Sequence, residues 1–135
     1  TSQLADVNDA STANPNRGWN EFKLALESVG YVVEQRLEPA APSSPPTGQT
    51  TGAPIPFDTL DLSIYDAIVF GSNNAIYTAA QVNAVESYIR SGGAALFISD
   101  ANFGSDWADA PDSDQQFLDR FGIGVHQDNG TYALP

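Results

Sequence analysis

The chain has no cysteine and no methionine among its 135 residues, a single lysine at Lys23 and a single histidine at His126. Without thiols, disulfide frameworks, thiolate zinc sites and cysteine nucleophiles are all excluded, and one histidine does not make a His-rich metal centre. Positive charge is scarce: Lys and Arg number 5 against 17 Asp and Glu, for a net charge of −12. No basic stripe exists to displace counterions from phosphates, which excludes nucleic acid as a partner and disfavours anionic membranes. No apolar run reaches the length of a membrane span.

What the composition does supply is acidity, with loops rich in Thr, Ser and Pro. Strong negative charge keeps a protein soluble and attracts cations, which suits a salty or calcium-containing exterior. Together with the near-absence of lysine this predicts an extracellular or cell-surface location. The chain starts at Thr1 with no basic or apolar targeting segment, as expected after removal of such a segment or trimming of the chain. A threonine at that position is also the nucleophile type of self-processed enzymes, but processing alone gives the same terminus. Asn129-Gly130-Thr131 is a short glycosylation sequon.

Hydrophobic periodicity predicts the elements. Trp19, Phe22, Ala25, Leu26 and Val29 recur at helical spacing over 17–29, and Gly30 is the stop. "YVVEQRL" (31–37), rich in β-branched and aromatic residues, reads as a strand. Residues 38–56, mostly Pro, Ser, Thr, Gly and Ala, read as a surface loop with too little apolar surface to join a core. "YDAIVFG" (65–71) and "AALFIS" (94–99) have the continuous apolar character of strands buried on both faces. Between them, Thr78 and Gln81 form a capping-box pattern, Val82, Val85 and Ile89 an apolar stripe, and Gly92 a left-handed terminator. Ser113 and Gln116 repeat the capping pattern before Phe117, Leu118 and Phe121, closed by Gly122. A weaker strand signal lies at 4–7, and another strand begins at 123–125. Strands alternating with helices predict one α/β domain over 1–135, a three-layer parallel sheet with helices on both faces. Either the sheet is small or the chain is a piece of a longer protein.

The run "YDAIVFGSNN...YTAAQVNAVESYIRSGGAALFISDANFG...DQQFLDRFGI" resembles the class I glutamine-amidotransferase-like superfamily. It is closest in pattern to trehalose-utilisation-type and related domains of bacterial secreted proteins. The resemblance spans about 65–123 and implies a flavodoxin-like, amidotransferase-like fold. Amidotransferases of that superfamily place a cysteine nucleophile in a sharp turn after a strand, followed later by a histidine and an acidic partner. Here the corresponding turn reads Asp100-Ala101-Asn102, so the resemblance carries the fold and the place of a site but not the glutamine-hydrolysing residues.

In open parallel sheets ligands bind beyond the carboxyl ends of the strands. Polar residues gather at three places in the sequence: Asp6, Asn8, Asp9 and Ser11 near the start, Ser72, Asn73 and Asn74 after 65–71, and Asp100, Asn102 and Asp106 after 94–99. Ser72, Asn73 and Asn74 offer amides and N–H groups to a sugar or anion, or form an ordinary turn in which Asn satisfies its own backbone. Asn102 and Trp107 extend that ligand-binding set, Trp107 as a stacking platform or as a loop anchor. A hydrolase reading takes Asp9, Ser99, Asp100 and His126 as candidate catalytic groups, because a serine needs a base in hydrogen-bond reach and His126 is the one histidine. No Gly-x-Ser-x-Gly elbow surrounds Ser99. The carboxylates Asp100, Asp106, Asp109 and Asp112 suit calcium, a hard cation taking six to eight oxygens, although the stretch is no EF-hand loop; a solvated loop explains the same residues. No cofactor other than calcium is called for. The leading expectation is a non-catalytic binding or structural module that recognises carbohydrate or a protein partner. The alternatives are a hydrolase of sugar or amide substrates, and a self-assembling subunit whose exposed sheet edge pairs with another chain.

Overall fold

In the computed structural model, the described residues are Val7, 19–36, 54–71, 75–98 and 114–124. They contain helix α1 (Asn20–Ser28), strand β1 (Ala67–Gly71), helix α2 (Ala79–Arg90), strand β2 (Ala94–Ile98) and the short helix α3 (Gln115–Leu118), with 3-10 turns at Leu62–Ile64 and Asp119–Phe121. Strands β1 and β2 pair in parallel, Ala67 opposite Ala94 through to Gly71 opposite Ile98. The crossover between them is α2, so the sequence from 67 to 98 is one β-α-β unit. The fold is therefore mixed α/β with a small two-stranded parallel sheet among the described residues.

Local chemistry sets the ends of α2. The Thr78 hydroxyl accepts the Gln81 N–H at 3.3 Å while Gln81 Oε1 accepts the Thr78 N–H at 2.9 Å, a reciprocal cap that satisfies two orphan donors. At the other end the Gly92 N–H donates to the Ile89 carbonyl and the Gly93 N–H to the Tyr88 carbonyl, with Gly92 at φ +108°. Those two bonds are the Schellman arrangement, which needs a left-handed residue and so favours glycine. It recurs after α1, where Gly30 (φ +97°) donates to Glu27 and Tyr31 to Leu26, and after α3, where Gly122 (φ +69°) donates to Asp119 and Ile123 to Leu118.

The core lies on one side of the sheet. Ile68, Phe70, Ala95 and Phe97 share that face and meet Val82, Val85 and Tyr88 of α2, Phe117 of α3, and Phe57, Leu62, Ala75 and Tyr77 from the connections. Phe70 stacks on Phe97 with centroids 4.4 Å apart, and the fully buried Phe117 ring lies 5.0 Å from Tyr77 and 5.1 Å from Phe70. Aromatic pairs of this kind add about 0.5–1.5 kcal/mol each beyond their buried area.

Several expectations are corrected. The two strands are covered on one face only among the described residues: Val69 and its partner Leu96, on the other face, are 38% and 51% exposed. The helix available to cover that side, α1, buries none of its residues, and Phe22 of its apolar stripe is 42% exposed. Residues 31–36 do not join the sheet; an open slot lies between them and β1, and Val32 is 95% exposed. The part of the 38–56 loop that is described, 54–56, does contribute to the core, because Ile55 packs against it beside Phe57. The Ser113 half of the second capping pattern lies outside the described residues, while the Gln116 side chain bonds to the Tyr77 N–H and the Ala75 carbonyl.

Candidate functional site

Because β1 and β2 are parallel and in register, Gly71 and Ile98 end side by side, and the chain leaves the sheet at one rim into 72–74 and 99–113. That is the edge where ligands of open parallel sheets bind. The candidates that follow these strand ends in sequence, Ser72, Asn73, Asn74, Ser99, Asp100, Asn102, Asp106, Trp107, Asp109 and Asp112, lie outside the described residues, as do Asp9, His126 and Asn129. Among the described residues no three His, Asp or Glu side chains stand close enough to share a metal ion.

The structure describes the frame that carries those loops. Both return to the core at neighbouring points, 75–78 and 114–118, and one side chain ties the returns together. Gln116 Oε1 accepts the Tyr77 N–H at 2.8 Å and its Nε2 donates to the Ala75 carbonyl at 3.3 Å, so α3 is pinned to the strand-to-helix connection after β1. Ala75 is fully buried and Tyr77 nearly so, and the Tyr77 ring lies against Phe117 one residue beyond Gln116. Asp114, buried at the head of α3, accepts the Phe117 and Leu118 N–H groups through its carbonyl, each at 3.0 Å. The described residues that flank 72–74 and 99–113 are thus held by the ladder on the strand side and by a glutamine amide and an aromatic contact on the other.

At the opposite end of the strands, Tyr88 acts as a staple. Its hydroxyl lies 3.2 Å from both the Tyr65 carbonyl, just before β1, and the Ala94 carbonyl, at the start of β2. Burial pushes the phenol above its ordinary pKa, partly countered by the hydrogen bond to Ala94 and reinforced by the Asp66 charge, so the hydroxyl stays a donor. Nearby, the Tyr65 hydroxyl donates to Glu34 at 2.9 Å and accepts from Arg36 at 3.3 Å. The hydrogen bond to Tyr65, opposed by desolvation and aided by the Glu34 charge, raises the Arg36 pKa further, so the guanidinium remains a cation. Arg90 pairs with Glu86 at 2.8 Å and sits 5.3 Å from the Phe121 ring centre. These exposed ion pairs contribute little to stability and form no enclosed pocket.

Sequence reasoning missed Gln116 as a tie between loops, having assigned it to a helix cap. It also missed Phe57, which follows the Pro-rich stretch and carries no periodic signal of its own, and the pairing of Tyr88 with the adjacent glycines, for which the "YIRSGG" run is the available sign. Among the described residues no helix is long and apolar enough to cross a membrane. No family model, curated protein or solved structure matches the chain.

Proposed function

We propose that the chain is a binding or structural α/β module of an extracellular or cell-surface protein, taking carbohydrate or a partner protein at the carboxyl rim of its strands. The full architecture in this reading is the three-layer, flavodoxin-like sheet of the amidotransferase-like pattern, without that pattern's catalytic residues. The observation that supports it most is the pair of in-register parallel strand ends at Gly71 and Ile98, whose following loops are tied at their returns by Gln116. A frame of that kind holds loop chemistry in place without itself supplying an acid or base. Ser72, Asn73, Asn74 and Asn102 bring the hydrogen-bonding groups, Trp107 the stacking surface, and calcium on Asp100, Asp106, Asp109 and Asp112 orders the longer loop.

Three measurements test the reading. Calcium at 100 times its Kd stabilises a folded protein by about 2.7 kcal/mol, so the thermal midpoint rises by several degrees with calcium and not in the Asp106→Asn/Asp109→Asn double variant; an unchanged midpoint in the parent chain removes the calcium component. Binding to a glycan array, reduced at least tenfold by Trp107→Ala or by Asn73→Ala/Asn74→Ala, supports the carbohydrate component. Turnover of chromogenic glycosides or amides that is lost with Ser99→Ala or Asp100→Asn would replace the module with a hydrolase.

A further inference from the structure

We draw no further inference here: the strongest candidate, the apolar slot of about 790 Å³ between residues 30–36 and strand β1, carries nothing because nothing among the described residues shows what covers it.

Discussion

The contact between Gly93 and Tyr88 gives the sharpest test of the packing. A Cβ built on Gly93 falls 2.6 Å from Tyr88 Cε1 and closer still to Cζ and Cε2, inside any tolerable van der Waals distance. The ring cannot simply swing aside, because Tyr88 is buried and its hydroxyl holds the Tyr65 and Ala94 carbonyls at the starts of the two strands. Gly93→Ala must therefore either move the backbone of the α2 terminus or expel the ring. Overpacking of this sort costs about 1–3 kcal/mol, and loss of the hydroxyl bonds about 1 kcal/mol more. The reduced freedom of the unfolded chain returns about 0.4–1 kcal/mol. The net destabilisation is about 2–3 kcal/mol, which at roughly 3–5 °C per kcal/mol for a domain of this size lowers Tm by roughly 10 °C.

Urea unfolding followed by circular dichroism measures it, and two comparisons separate the clash from other causes. At Gly92 an added Cβ meets nothing within 4 Å, so Gly92→Ala carries only the strain of φ +108°, about 1–2 kcal/mol. Tyr88→Leu shortens the side chain away from Gly93, and in that background Gly93→Ala becomes nearly neutral, a coupling of about 1.5 kcal/mol or more in the double-mutant cycle. A Gly93→Ala variant as stable as the parent refutes the packing described here. A penalty that is unchanged in the Tyr88→Leu background refutes its assignment to the tyrosine ring.

Three further outcomes follow from single contacts. Thr78→Ala removes one arm of the capping box and costs about 1 kcal/mol in the same urea assay, with Thr78→Ser retaining most of it; equal losses in both variants would place the effect outside the hydroxyl. Gln116→Ala leaves the Tyr77 N–H and Ala75 carbonyl without their amide partner, costs about 1–3 kcal/mol, and speeds exchange of the Tyr77 amide more than that of Val85; uniform acceleration of both would mean only global destabilisation. The folded pKa of Tyr88 lies above its unfolded value of about 10, so its contribution is fully present below pH 10 and is lost as pH rises through the folded pKa. Urea midpoints should fall as pH rises above about 10 in the parent and fall less steeply in Tyr88→Phe, and identical slopes would sink the assignment.

What the sequence discloses here divides by the range of the interaction. The stops at Gly30, Gly92 and Gly122 and the start at Thr78 are decided within six residues, because a left-handed glycine or a reciprocal Thr–Gln pair satisfies backbone groups of its own turn. The parallel pairing of 67–71 with 94–98 is nearly as legible, since a helix between two apolar runs leaves few alternatives to a crossover. Gln116 shows the limit. Its spacing from Ser113 satisfies the capping pattern, yet a glutamine amide has two ends to place, and residues 75 and 77, some forty positions away, offer a donor and an acceptor already held in place by the burial of Ala75 and Tyr77. No local rule registers that competition.

Residues 31–36 make the same point about strands. Their composition favours an extended chain, but a strand is completed by its neighbour, and β propensity largely measures fit to a pleated, half-buried surface. Val32 at 95% exposure has no such surface, whereas Phe70, of similar propensity, is 2% exposed because β2, α2 and α3 converge on it. The distinction between the two segments is therefore not written in either one. It depends on what each meets in space, and for Phe70 that is the rings of Phe57, Phe97 and Phe117.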